Sequence, residues 1–138
     1  MATECRGPVS ILLITSDLMV ASRIAGAAAS IPATAESIGP AADPKGGPYD
    51  VIVVDLQTAG RGATELVSRA RTIAEAQAHL RPAKIVAFGP HVAVDRLAEA
   101  GRAGADLVVS RGELLGALPA VVDRVRSAVP EGGADGSP

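Results

Sequence analysis

Short apolar segments alternate with segments of helical periodicity along the chain, and this alternation constrains the fold more than any other feature of the sequence. Most of the apolar segments are rich in β-branched residues and bounded by Pro, Gly or polar residues, which is typical of strands buried on both faces. The predicted strands are 9–14, 33–38, 49–55, 83–88 and 106–110, of which 33–38 is the weakest. The predicted helices are 18–30, 61–80, 94–103 and a final helix that begins near Leu115 or Ala117 and ends at Val129.

Buried strands that alternate with helices predict a parallel sheet with helices on both faces. We therefore expect an α/β fold, a doubly wound five-stranded parallel sheet. Residues 39–48 hold three Pro and three Gly, so the second helix is expected to be short or missing, which leaves the side of the second strand thinly covered. The domain is predicted to cover 9–129, after a lead-in at 1–8 and before a Gly-rich, acidic tail at 130–138 that we expect to be disordered.

Composition argues against several classes of function. The chain has 138 residues and a net charge of −2 from 13 basic and 15 acidic side chains, so nucleic acid is not an expected partner. Only 1% of the residues are aromatic, which argues against a base-stacking surface or an aromatic-lined ligand pocket. The single cysteine, Cys5, rules out an internal disulfide. No apolar run approaches the roughly 20 residues that span a bilayer, so we expect a cytoplasmic protein without a membrane partner.

Polar and charged side chains stand at the carboxyl ends of the predicted strands, where doubly wound sheets bind their ligands. Ser16 and Asp17 follow the first strand, Asp55 ends the third, His91 follows the fourth and Arg111 follows the fifth. Two carboxylates can hold a divalent cation such as Mg²⁺, and an aspartate beside a cation can accept a phosphoryl group. The alternative is structural: Asp17 caps the first helix and Asp55 caps the loop after its strand, both half-solvated, while His91 is an ordinary surface side chain.

Four segments of the chain, ILLITSD, YDVIVVDL, KIVAFG and AGADLVVSR, resemble the receiver domain of two-component response regulators, which has the CheY-like fold. The resemblance covers nearly all of residues 9–129. It implies that Asp55 is the aspartate that a histidine kinase phosphorylates, and that Arg111 stands where receivers carry a lysine. Ser16 and Asp17 stand at the acidic pair that binds Mg²⁺ in receivers, so one of the two carboxylates is missing.

Two further positions depart from the receiver pattern. The Ser or Thr that ends the fourth strand of receivers falls on Phe88 or Gly89, and the aromatic switch residue of the last strand falls on Val108. Without the hydroxyl and the aromatic ring, the side chains that would transmit phosphorylation to the surface of the helix after the fourth strand are missing. The resemblance therefore implies a degenerate receiver, or pseudo-receiver.

Three functions are compatible with these observations. The leading interpretation is a stand-alone pseudo-receiver without an output domain, a signalling module that binds a histidine kinase or a downstream signalling protein through residues near 94–103 and 115–129, or forms a homodimer. The alternative is a single-domain response regulator that accepts phosphate on Asp55, with Mg²⁺ held weakly by Ser16, Asp17 and Asp55. Neither is an enzyme beyond self-phosphorylation from a phosphodonor. A small-molecule enzyme is disfavoured because the turn at 15–19 carries no Gly-rich phosphate loop.

Overall fold

The computed structural model of the protein describes residues 8–58 and 60–127. Cys5, most of the predicted lead-in and the predicted tail at 130–138 lie outside the described residues. The strands are β1 (Val9–Ile14), β2 (Ala33–Ile38), β3 (Val51–Asp55), β4 (Lys84–Gly89) and β5 (Leu107–Ser110). The helices are α1 (Leu18–Ala28), α2 (Ala63–Ala76), α3 (Val94–Ala103), α4 (Arg111–Gly116) and α5 (Leu118–Ser127).

The five strands form one sheet in the order β2-β1-β3-β4-β5, and every neighbouring pair is parallel. This strand order confirms the predicted doubly wound α/β fold. None of the helices within the described residues is long and apolar enough to cross a membrane.

The central strands are buried on both faces, which explains why they appear in the sequence as continuous apolar runs. One face of the sheet packs against α1, α4 and α5, and the other packs against α2 and α3. The side chains on the first face include Ile11, Leu13, Val51, Val53, Val86 and Phe88. Those on the second face include Leu12, Ile14, Ile52, Val54, Ile85 and Ala87.

The connection between β2 and β3 contains no helix, as the sequence predicted. Residues 39–50 form an irregular loop, because Pro and Gly at this density disfavour a helical turn. The glycine before the last of the three prolines, Gly47, has a φ of 115°, a conformation that side-chain-bearing residues rarely adopt. The β2–β3 loop, defined as residues 39–50, therefore lies where the doubly wound fold ordinarily has a helix.

Four helix boundaries differ from the prediction. The helix α1 ends at Ala28 instead of residue 30, and α2 begins at Ala63 instead of residue 61 and ends at Ala76 instead of residue 80. Directly after α2, the Gln77 side chain bonds the backbone of Tyr49. Of the two predicted starts of the final helix, Leu115 is wrong, since this residue belongs to the separate short helix α4, and Ala117 lies one residue before the observed start of α5 at Leu118. The Ser110 hydroxyl caps α4 by accepting the backbone N–H of Glu113 at 3.1 Å.

The two central strands β1 and β3 pair with a constant offset of 40 residues, as in Ile11 opposite Val51. At the amino end of this pair, the backbone N–H of Ser10 donates to the Asp50 carboxylate at 2.8 Å, and the Asp50 N–H donates to the Ser10 carbonyl at 2.7 Å. Arg81 faces the same carboxylate at 3.3 Å. Asp50 thus joins the start of the sheet to the segment between α2 and β4.

Candidate functional site

Thr15 links the ends of β1 and β3 at the carboxyl edge of the sheet. Its hydroxyl donates to Oδ2 of Asp55 at 2.7 Å and accepts the backbone N–H of Asp17 at 3.0 Å. The structure thus joins the two predicted aspartates through a residue that the sequence analysis did not single out. The missed signal is its place directly after β1, where the 40-residue offset of the central strands puts it opposite Asp55.

The Asp55 carboxylate is buried and engaged through both of its oxygens. The residue is 2% exposed, and Oδ1 accepts the backbone N–H of Gln57 at 2.9 Å while Oδ2 accepts the Thr15 hydroxyl. The Thr58 hydroxyl donates to the Asp55 carbonyl at 2.8 Å. Asp55 therefore caps the loop that follows β3, as the structural alternative proposed. The expectation that this carboxylate is half-solvated is wrong, because the Thr15 hydroxyl and the loop after β3 enclose it.

Asp17 caps α1, which confirms that part of the prediction. Its Oδ1 accepts the backbone N–H groups of Met19 at 2.8 Å and Val20 at 3.3 Å, and a carboxylate at this position also interacts favourably with the helix dipole. Its Oδ2 lies 4.0 Å from Nη2 of Arg111. The two carboxylate oxygens of Asp17 thus contact different groups, Oδ1 the start of α1 and Oδ2 the Arg111 guanidinium.

Arg111, the first residue of α4, lies at the same edge as the aspartates, as predicted. Its Nη1 lies 3.4 Å from Oε1 of Gln57, and its Nη2 faces Asp17. The guanidinium therefore connects the ends of β1, β3 and β5. It is close to the loop after Asp55, but both carboxylate oxygens of Asp55 take their hydrogen bonds from Thr15 and Gln57.

The fold suggests Mg²⁺ at this edge, but the side chains as arranged do not fit it. Magnesium requires near-octahedral oxygen coordination, and within residues 8–58 and 60–127 no group of three or more His, Cys, Asp and Glu side chains is placed to hold a metal. Asp55 is enclosed, and Asp17 is shared between its helix cap and Arg111. Ser16 and His91 are exposed near this edge, and their roles stay predictions.

The end of β4 provides no hydroxyl beside Asp55. Phe88 is opposite Asp55 in the sheet and is fully buried in the core. Gly89 has room for a side chain, because a Cβ there would lie 3.6 Å from the nearest atom of Leu56. Val108, on β5, is half-buried against the apolar cluster that includes α3.

Arg96, on α3, holds the loop that follows Asp55 and was also missed by the sequence analysis. Its Nη2 donates to the carbonyls of Leu56 and, at 3.0 Å, of Arg61. One guanidinium therefore fixes both ends of the β3–α2 loop. An arginine in the first turns of a helix gives no sign in the sequence of which carbonyls it reaches.

Comparison with known proteins gives a fold and no close relative. No family model matches the sequence, and no curated protein matches it. Among solved structures, the chemotaxis response regulator CheY4 of Vibrio cholerae is 15% identical with a TM-score of 0.68, and the similarity covers 86% of this chain and 98% of that one. This chain has the receiver fold.

Other receiver-fold structures give the same result. A response regulator from Thermotoga maritima is 15% identical with a TM-score of 0.64, over 88% of this chain and 99% of that one. Full-length FixJ from B. japonicum is 19% identical with a TM-score of 0.66, over 93% of this chain. The receiver fold described here spans 63% of the FixJ chain.

Proposed function

We propose that this chain is a pseudo-receiver that acts by binding a protein partner, rather than by switching on phosphorylation. The observation that carries the proposal is the state of Asp55, which is 2% exposed and hydrogen-bonded through both carboxylate oxygens. Attack on a phosphodonor requires a carboxylate oxygen that reaches the incoming phosphorus atom. Here each carboxylate oxygen already accepts a hydrogen bond, Oδ2 from the Thr15 hydroxyl and Oδ1 from the Gln57 N–H, and burial keeps the group away from a phosphodonor in solution.

The surroundings of Asp55 also favour a structural role. A transferred phosphoryl group adds a charge of about −1.5 to −2 that needs cations and hydrogen-bond donors around it. The cation at this edge is Arg111, whose planar guanidinium on a longer stem is not interchangeable with the lysine of receivers. Its position beside Asp17 and Gln57, together with the absence of a hydroxyl on Phe88 and Gly89, supports a site that no longer stabilises the phosphorylated state.

The proposed partner surface is formed by α3, the edge strand β5 and α5. These helices pack on opposite faces of the sheet on either side of β5. The surface carries charges of both signs, including Asp95, Arg102, Asp106, Asp123 and Arg124. Mixed charge beside half-buried apolar residues suits a protein partner better than a nucleic acid. A second copy of the chain is included among such partners.

The test is the intact mass of the purified protein after incubation with acetyl phosphate and Mg²⁺. We expect no phosphoryl adduct on the wild-type chain, because Asp55 is enclosed. The restored variant Ser16→Asp, Gly89→Ser, Arg111→Lys is the companion experiment, since Gly89 has room for a serine. An adduct on the restored variant alone would trace the lost chemistry to these three positions.

The alternative function, a response regulator phosphorylated on Asp55 with Mg²⁺, makes the opposite prediction. A phosphoryl adduct on the wild-type chain that disappears in Asp55→Asn would establish that function and contradict ours. A receiver domain known to accept phosphate serves as the reagent control. A Mg²⁺ titration followed by amide chemical shifts of Ser16 and Asp17 tests the weak metal site independently of phosphorylation.

A further inference from the structure

The β2–β3 loop and α2 line an open cavity of about 490 Å³ where the fold ordinarily has a helix. Small-molecule sites in proteins are about 300–1,000 Å³ in volume, mostly apolar and equipped with few polar groups. One side of the cavity is formed by loop residues, and the other is a single face of α2 and the turn after it. The residues that line it are Asp43, Pro44, Gly46, Gly47, Pro48, Tyr49, Arg69, Thr72, Ile73, Ala76, Gln77 and Leu80.

The loop side of this cavity is fixed to the sheet by Glu36, on β2. The Glu36 carboxylate accepts the backbone N–H groups of Lys45 at 2.7 Å and Gly46 at 3.0 Å, and it also accepts the Tyr49 hydroxyl. Burial disfavours ionisation of this carboxylate, but the three hydrogen bonds outweigh it and lower the pKa of Glu36. The wall is therefore held by a charged group that stays ionised at neutral pH.

Gln77, in the turn after α2, joins the helical side of the cavity to the loop side by bonding the backbone of Tyr49. Its Oε1 accepts the Tyr49 N–H at 2.8 Å, and its Nε2 donates to the Tyr49 carbonyl at 2.8 Å and to the Arg81 carbonyl at 2.8 Å. Both walls are thus formed before any ligand arrives, and a preformed site avoids the free-energy cost of ordering on binding.

Charge and apolar surface lie at opposite ends of the helical side. Arg69 stands at the first end, and the face continues through Thr72, Ile73 and Ala76 to Leu80, which is 66% exposed. The Arg69 guanidinium donates from one nitrogen, Nη2, to the Ala42 carbonyl at 2.7 Å and to Asp43 at 2.9 Å. The side chain of Asp43 is 91% exposed, so water weakens this ion pair. An arginine has further N–H donors for a second anion.

We infer that this cavity binds a small carboxylate with an apolar body, whose acid group pairs with Arg69 and whose hydrocarbon part covers Ile73, Ala76 and Leu80. A guanidinium can bind a carboxylate through two parallel hydrogen bonds. Apart from Asp43, which is exposed and paired with Arg69 itself, the residues that line the cavity offer no second charge. Tyr49 precedes β3, and Asp55 ends it, so about six extended residues, or roughly 20 Å, separate the cavity from the Asp55 edge. The inference is thus independent of the proposed function.

Octanoate is the probe, and binding is followed by amide chemical shifts and by titration calorimetry of the full chain. We expect saturable shifts at Arg69, Ile73 and Leu80. Acetate, which lacks the apolar body, and 1-octanol, which lacks the charge, should each bind at least roughly tenfold more weakly. Equal binding of octanol and octanoate would overturn the inference, as would no binding of octanoate to the folded chain.

Two variants test the assigned contacts against a matched control. Arg69→Gln should weaken octanoate binding by roughly tenfold or more because the charged hydrogen bonds are lost. Ala76→Phe should abolish it by filling the cavity, and Ala76 is exposed enough for the change to leave the core intact. Arg71→Gln removes a guanidinium from the same helix, 52% exposed and outside the cavity, and should bind octanoate normally. A loss in Arg71→Gln as large as in Arg69→Gln contradicts the assignment.

Discussion

Replacing Thr15 by valine removes the hydroxyl that joins the two aspartates while leaving the volume of the side chain nearly unchanged. The Asp55 carboxylate loses a hydrogen bond of 2.7 Å, and the Asp17 N–H loses an acceptor at 3.0 Å. A hydrogen bond to a charged group contributes about 1.5–3 kcal/mol, and a neutral one contributes about 0.5–1.5 kcal/mol. We therefore expect Thr15→Val to lower the free energy of unfolding by roughly 2–4 kcal/mol.

The same substitution in an Asp55→Asn background isolates the charged part of this loss. The side chain at 55 is then neutral, so Thr15→Val should cost roughly 1–2 kcal/mol, and the coupling free energy should be about 1 kcal/mol or more. Urea unfolding of the four proteins measures these values, provided that the slope with denaturant is unchanged. Thr34→Val, an exposed threonine on β2, is the control and should change stability by less than about 0.5 kcal/mol. A loss below about 0.5 kcal/mol for Thr15→Val, or the same loss in both backgrounds, would refute the reasoning.

Four further predictions concern other parts of the structure. Gly104→Ala should destabilise the protein by about 1–2 kcal/mol in thermal unfolding, because Gly104 has a φ of 116° and a Cβ there would lie 3.0 Å from the Arg71 side chain. The control Gly101→Ala, inside α3, should stabilise the protein in the same assay. The pKa of Glu36 is lowered from 4.5 in the folded state, so the contribution of its carboxylate to the free energy of unfolding is present above pH 4.5 and is lost as the pH falls through the pKa of the folded state. In urea unfolding, the stability advantage of wild type over Glu36→Gln should therefore shrink on acidification. Burial, followed by the hydrogen bond and charge of Glu36, raises the pKa of Tyr49 from 10.0 to about 12, so stability should fall as the pH rises from 10 through 12, and Tyr49→Phe should remove this alkaline loss. Phe88→Leu, in the fully buried core, should lower the melting temperature measurably, and an unchanged value would show that the core repacks around the smaller side chain.

The sheet could be predicted from the sequence because strands buried on both faces must be apolar throughout. The runs that became β1, β3 and β4 carry this signal in consecutive residues, so their existence and parallel arrangement followed from the pattern alone. The loss of a helix between β2 and β3 was equally predictable, because the propensities of Pro and Gly act locally. The short helix α4 was not, since its start depends on a hydrogen bond that the Ser110 hydroxyl accepts from the Glu113 N–H, which no periodicity reveals.

The candidate site was predicted in its location but not in its chemistry. The carboxyl ends of parallel strands meet at one edge, so Asp17, Asp55 and Arg111 could be placed together from strand order alone. The burial of Asp55 could not be predicted, because it depends on where the side chain of Thr15 points and on the path of the backbone at Gln57. The contact of Arg96 with the loop after β3 spans 40 residues and follows from tertiary packing.

The bonds at the two ends of the β1–β3 pair also decide which residues of these strands align. The runs Ile11–Ile14 and Val51–Val54 are almost uniformly aliphatic, so a slip of two residues would keep every side chain on its own face and cost little apolar contact. Ser10 bonds Asp50 and Thr15 bonds Asp55, and both pairs are 40 residues apart, the same offset as the strands. A slipped alignment would break both bonds at once and leave Oδ2 of the buried Asp55 carboxylate without its Thr15 donor. In this sheet, the aliphatic strands provide the hydrophobic stabilisation, and the two polar pairs at their ends determine the register.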